Sequence, residues 1–480
     1  MLTYEFSETA GTPLYEQLYR RIRDDITNGV ISSGAKLPSK RTFAKHLGIS
    51  TITVENAYAQ LLMEGYIVSE PRKGYFAASL AEMPARSGDA GEGRHCGTTA
   101  GSEGAISADV KKDREYFADF SVSQNSHESF PFTTWARLFR DVLSGRQKDL
   151  MTKPPQGGVW ELRTALADYL MDFRGLKADP RQIIVGAGTE YLYGLLVQLL
   201  GFDRIYACED PGYRKAADIF EAYRVRCRRI PLDASGICMR DLEMSGADVV
   251  HVTPSHHFPT GITMPAGRRF ELLSWAAAGR GRYIIEDDYD SELRMSGKPL
   301  PSLFGMDSGE KTIYMNTFTK TLSSTIRVSY MILPPQLLEK FETSMGFYSC
   351  TVPTFEQYTL ARFIRDGYFE KHINRVRNAS RKKQDKLLKA IRKSRLGPLV
   401  NISAENAGLH FLMTIDYKGT KQDFIERCEG EGIRLASLQS YEHTPRPEDA
   451  NVFVINYASI PEERFEEAAE RLYRAASGTH

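Results

Sequence analysis

Lys320 stands in the run Asn316-Thr-Phe-Thr-Lys320-Thr-Leu-Ser-Ser-Thr-Ile-Arg327, just after the strand-like Ile313-Tyr-Met. A lysine amine becomes a nucleophile when it is desolvated or set beside other cations. Hydroxyls flank it at Thr317, Thr319, Ser323 and Ser324, and Arg327 follows one to two helical turns on, where a cation suits a phosphate. Upstream, Asp287 and Asp288 close the strand-like Tyr283-Ile-Ile, with Tyr289 beside them. Ligands of open α/β sheets bind at the carboxyl ends of strands. One of these aspartates is therefore placed to meet a ring nitrogen, and Tyr289 a phenolic oxygen. An Asp-Asp-Tyr turn alone reads more readily as a solvated loop or a metal-binding carboxylate pair; Lys320 downstream is what favours the ring-nitrogen role.

Two further loops complete the set. Gly186-Ala-Gly188-Thr189-Glu190 follows Ile183-Ile-Val and opens a helix, which makes a phosphate cup of backbone amides. Tyr191 at the third glycine position excludes a Rossmann fingerprint. Glu209-Asp-Pro-Gly-Tyr213 follows another strand, and an aromatic there can stack on a flat ring. A lysine for a Schiff base, an anion for a pyridinium nitrogen and a phosphate cradle are what pyridoxal 5'-phosphate (PLP) chemistry requires.

The elements that must hold these groups are readable from the pattern. Short apolar runs at 183–185, 204–208, 248–252, 283–286 and 312–315 alternate with helix-period stretches, which predicts an α/β domain with a mostly parallel sheet. A long basic amphipathic helix over 368–394, strands near 408–414 and 452–457, and a final helix predict a smaller α+β part. The front of the chain is different. Leu14, Leu18, Ile22 and Ile26 recur every fourth residue, an amphipathic helix ended near Gly29. Ser39 and Ser50 are placed to cap second and third helices. Extended runs at 66–69 and 75–78 flank Pro71-Arg72-Lys73-Gly74 as a hairpin tip. Three helices and a hairpin predict a winged helix-turn-helix over 1–79. Residues 80–115, rich in small residues, read as a flexible linker, and 116–480 as the body.

In such a head the recognition helix meets base edges with its first residues. Ser50, Thr51 and Thr53 are those residues here, with Lys40, Arg41 and Lys45 on the preceding helix and Arg72 and Lys73 on the wing. Net charge over 480 residues is only +1, so any contact with double-stranded DNA must come from such local patches. Six cysteines include no Cys-x-x-Cys pair, which removes zinc and dithiol readings and fits a reducing compartment. The N-terminus lacks a secretory pattern. A cytoplasmic protein with no metal and no membrane contact is expected. His256 and His257, adjacent on one turn, are expected to be structural.

The head motifs Pro13-Leu-Tyr-Glu-Gln-Leu, Lys36-Leu-Pro-Ser-Lys-Arg, Thr53-Val-Glu-Asn-Ala-Tyr and Glu64-Gly-Tyr-Ile-Val resemble a GntR-type winged helix. Thr51 and Lys73 depart from the family's usual arginine and serine. The order of the Gly-Thr cup, Asp-Pro-Gly-Tyr, Phe-Pro-Thr-Gly, Glu-Asp-Asp-Tyr, lysine and arginine resembles the PLP site of a fold-type I aminotransferase. The fusion resembles MocR/GabR-type transcriptional regulators. That resemblance implies an internal aldimine at Lys320, Asp287 on the pyridine nitrogen, Tyr289 on the phenolic oxygen and Tyr213 on the ring face. It also implies a phosphate held by Gly188, Thr189, the Glu190 amide and Arg327, a homodimer, and an effector that is an amine, an amino acid or PLP itself. Two departures stand out. Phe258 replaces the asparagine before Pro-Thr-Gly, and the last strand, Asn451-Val-Phe-Val-Ile-Asn-Tyr457, lacks the arginine that holds a substrate carboxylate. Arg434 and Arg214 are candidate substitutes. The body is therefore expected to sense rather than to catalyse, an active aminotransferase being the alternative.

Overall fold

The computed structural model describes residues 4, 13–71, 73–78, 115–122, 130–294, 301–405 and 408–478. Arg72 and nearly all of the expected linker lie outside them. The chain divides into two compact units, Met1–Ala108 and Asp109–His480.

In the first unit, helices Leu14–Thr27, Lys40–Leu47 and Thr51–Met63 precede an antiparallel hairpin of Ile67–Glu70 and Gly74–Ala77. The four-residue spacing of the first helix turns Leu18, Ile22 and Ile26 inward onto Phe43, Val54, Tyr58 and Leu61. The Ser39 and Ser50 side chains accept from the backbone N–H of Thr42 and Thr53, as capping residues should. Each such cap contributes about 1 kcal/mol. Gly48 ends the second helix at φ 67°, a conformation glycine adopts without Cβ strain.

The second unit is built on an eight-stranded sheet. Its order is Ile183–Gly186, Ser329–Ile332, Thr312–Thr317, Tyr283–Asp287, Val249–Val252, Ile205–Asp210, Arg226–Asp233 and Gly236–Ile237. The central strands pair in parallel, whereas Ser329–Ile332 runs antiparallel to both neighbours. Helices on its faces bury the central strands, with all four residues of Val249–Val252 buried. A four-stranded antiparallel sheet, Val400–Ser403, His410–Ile415, Val452–Asn456 and Ala436–Ser437, forms the smaller part. The 26-residue helix Tyr368–Lys393 packs against the last helix, Phe465–Ser477. The short Ala118–Asp119 strand pairs with Ile433–Arg434, so the body's first residues belong to this smaller part. Among the described residues, no helix is long and apolar enough to cross a membrane.

Candidate functional site

One cleft gathers the chemistry predicted for the body. Parallel strands deliver their carboxyl ends to it. Asp287 is the last residue of its strand, Thr253 follows Val252, and Tyr213 follows the strand ending at Asp210. Thr317 ends another, with Thr319 and Lys320 just beyond it. All of them line a cavity of about 210 Å³, with Thr189, Glu190, Tyr289 and Arg327. His410 and Leu409 reach it from the smaller part. Gly188 is the N-cap of the Thr189–Leu200 helix. It has φ +94°, and a Cβ there would collide with the Arg327 guanidinium. The helix N-terminus and Arg327 thus share one end of the cleft. Glu190 holds both cations of that end, forming an ion pair with Lys215 and approaching Arg327 Nη2 at 3.4 Å.

The residues fit PLP on two observations. Asp287 Oδ2 accepts from the Tyr193 hydroxyl at 2.7 Å, which also meets His251 Nε2 at 2.9 Å. Asp287 Oδ1 is buried without a partner, and so is the Tyr289 hydroxyl. A buried acceptor left unpaired costs on the order of 1–3 kcal/mol, and a protonated ring nitrogen would satisfy it. Burial also lowers the Lys320 pKa, against the opposing charge of Asp290, which favours the nucleophilic amine.

Asp288 is committed elsewhere. It forms a buried ion pair with Arg174 at 2.9 Å and accepts from the Tyr314 hydroxyl at 2.8 Å. Burial pushes its carboxyl up, but Arg174 and its hydrogen bonds hold it below the usual range. Of the two aspartates, Asp287 alone faces the cleft. Phe258 also lines the cleft, edge-on to His410 at 5.2 Å and Tyr441 at 5.0 Å. His256 Nδ1 meets Asp290 Oδ2 at 3.2 Å and His257 Nδ1 meets Thr260 Oγ1 at 2.7 Å. Among the described residues no cluster of His, Cys, Asp and Glu could hold a metal ion. Neither candidate carboxylate-binding arginine lines the cleft: Arg434 lies 3.6 Å from Asp119, and Arg214 is exposed beside Asp218.

Sequence reasoning missed Lys215, Thr253, Asp290 and His410. Lys215 was findable as a cation two residues after Tyr213, whereas His410 has no local signal because another part of the fold brings it in. Glu209 was noted only as part of a loop. It is buried and accepts from the Thr253 N–H and hydroxyl, both at 3.0 Å. Burial raises its carboxyl to about 7, against His251 and the Thr253 bonds that lower it. A native carboxyl that keeps its proton while the unfolded chain loses it makes stability fall as pH rises from about 4.5 to about 7. Glu209→Gln is therefore expected to flatten that decline, by an amount on the order of 3 kcal/mol. Thermal midpoints of both proteins between pH 5 and 8 measure it; parallel pH profiles would refute the assignment.

In the head, Arg41, Lys45, Ser50 and Thr51 are exposed, and Thr53 is half-buried. Lys40 is less available than expected, because Nζ pairs with Glu55 at 2.7 Å and sits over the Tyr75 ring. Lys73 pairs loosely with Glu70 at 2.9 Å on an exposed tip. Ser50 and Thr53 hydroxyls bond each other at 2.8 Å.

Residues 117–472 match the aminotransferase class I and II family, and residues 14–76 match the gntR family of bacterial regulatory proteins. An uncharacterized HTH-type transcriptional regulator of Bacillus subtilis (strain 168), YdeL, is 38% identical over 99% of both chains. The probable rhizopine catabolism regulatory protein MocR of Rhizobium meliloti is 30% identical over 97% of this chain and 94% of that one. This chain belongs to the MocR-type helix-turn-helix transcriptional regulators. A kynurenine aminotransferase structure from Pyrococcus horikoshii superposes on 76% of this chain and 91% of its own. At TM-score 0.66 and 23% identity, it shows that the regulator's body has the aminotransferase fold. For a MocR-type head, phosphate contacts make affinity fall with salt by about one log-log unit per neutralised phosphate. Arg41→Ala and Lys73→Ala are expected to weaken duplex binding and make that slope shallower. Unchanged slopes in both would remove these residues from the interface.

Proposed function

We propose that this MocR-type regulator binds PLP covalently through Lys320 and that occupancy of the site sets how the head engages operator DNA. We take residues 1–79 as the DNA-binding head, 80–115 as linker, and 116–480 as the effector and dimerisation body. Occupants are an amine, an amino acid or PLP itself. The observation that carries this reading is the unpaired Asp287 Oδ1 in the same cleft as the buried Lys320.

When bound, the coenzyme supplies an aldehyde for amines and an electron-withdrawing ring. The chain's own groups do the rest. Lys320 offers the amine. Asp287, held by Tyr193, keeps a proton on a ring nitrogen, and Tyr289 donates to a phenolic oxygen. Tyr213 covers a ring face. Gly188, Thr189 and the Glu190 amide at the helix N-terminus, with Arg327, bind phosphate. Ligand that favours one conformation of the body shifts its population, and the paired heads of a homodimer read that shift.

The alternative, a working aminotransferase, is weakened by Phe258 on the cleft wall, which cannot hydrogen-bond the coenzyme, and by the placement of Arg434 and Arg214. Positioning groups supply several kcal/mol of barrier lowering. With PLP bound, the purified protein is expected to show a visible aldehyde-adduct band. Multiple-turnover transamination of common amino acid and keto acid pairs is expected to fall far below ~10 per second. Turnover near that rate would favour the enzyme, and absence of any PLP band would defeat the proposal.

A further inference from the structure

The charges in the cleft are sorted by end. At the phosphate end stand Arg327 and Lys215, both held by Glu190. A second group on the lining is Asp290, His410, Phe258 and Leu409, with Phe258 packed against His410. Among the described residues lining the cleft, the only cation outside the phosphate end is Lys320. His410 adds none, because burial pushes its pKa down to about 4 and its Nε2 bonds the Pro259 carbonyl. Asp290 is 3% exposed. It is backed by His256 and lies close under the Gly408 backbone, where a Cβ would come within 3.2 Å of its Oδ2. Beyond Phe258 the wall is apolar: Phe258 and Tyr441 pack on Leu412, Leu438 and the fully buried Val454.

Among the described lining residues, a carboxylate entering this end would meet another carboxylate and an apolar wall, with no lysine or arginine besides Lys320. A second ammonium would meet Asp290. From this sorting we infer that the effector is a carboxylate-free primary amine carrying a second cationic group, an aliphatic diamine, with Asp290 as the residue that selects it. This inference rests on the proposed PLP site and narrows its occupant.

The test uses full-length protein loaded with PLP, its visible band followed during titration with 1,4-diaminobutane, n-butylamine, 4-aminobutyrate or L-alanine. A lysine-like amine keeps its charge near neutral pH, and each tenfold preference corresponds to about 1.4 kcal/mol. The diamine is expected to perturb the band at about tenfold lower concentration than n-butylamine, with both carboxylates weaker still. Asp290→Asn is expected to bring diamine and n-butylamine together, read as the ratio of the two concentrations in the same loaded protein. Asp290→Glu, which keeps the charge, should retain part of the preference. The inference is overturned if either carboxylate acts at lower concentration than the diamine, if no amine perturbs an existing band, or if Asp290→Asn keeps the preference. A protein with no PLP band fails earlier, at the coenzyme site itself, and the inference falls with it.

Discussion

Lys320→Ala is expected to abolish covalent attachment of PLP while leaving the body folded. Lysine supplies the amine and alanine cannot. Lys320 lines the cleft from a turn after the Thr312–Thr317 strand, not from the hydrophobic core beneath it. Removing its side chain empties part of an existing cavity, so unfolding midpoints should stay close to wild type. Borohydride treatment of wild type should fix the coenzyme to the peptide containing Lys320, and the variant should carry no label. Label on Lys215, the other cleft lysine, would reassign the attachment point.

The second large effect is structural. Arg174→Met is expected to destabilise the body by about 3–5 kcal/mol, the usual cost of leaving one charge of a buried pair without its partner. The side chains of Arg174 and Asp288 are 1% and 0% exposed. Their surroundings are acidic: Glu286 and Glu292 are both raised to about 7 by burial, with the Asp288 charge adding to it. Because Asp288 is held below its ordinary pKa, the pair's contribution is present at neutral pH and is lost as pH falls through that lowered value. In Arg174→Met the carboxyl rises instead, so the deficit should shrink on acidification. Urea midpoints at pH 7 and pH 5 measure the loss and its shrinkage on acidification, and Arg174→Met with Asp288→Asn should recover part of the loss. A loss under about 1 kcal/mol, typical of exposed pairs, would contradict the account.

How much of this was legible differs by residue. The central parallel strands are apolar runs buried on both faces, and they read clearly. Ser329–Ile332 was missed because it runs antiparallel between strands far from it in sequence, and nothing local announces that pairing. Arg226–Asp233 was missed for another reason: its exposed Arg226 and Arg228 make a sheet strand look like solvated chain. The site's order was visible because strand ends carry their motifs with them. The choice of Asp287 over Asp288 was not, since it depends on Arg174 arriving from a distant helix. Asp290 was missed although it follows Tyr289, because its setting depends on His256 and Gly408 from elsewhere in the fold. Lys40 looked like a phosphate contact until Glu55, on the next helix, was seen to hold it.

The central claim is that the PLP site and the DNA-binding head are coupled, which requires different affinities in two states. The most direct measurement is equilibrium binding of the full-length protein to a duplex selected from a random-sequence pool, with and without PLP at fixed salt. The account predicts a shift in affinity for wild type, of the order of 5–150-fold for ordinary coupling energies, and none for Lys320→Ala. Identical affinities with and without PLP in wild type, with the coenzyme shown to be bound, would contradict it.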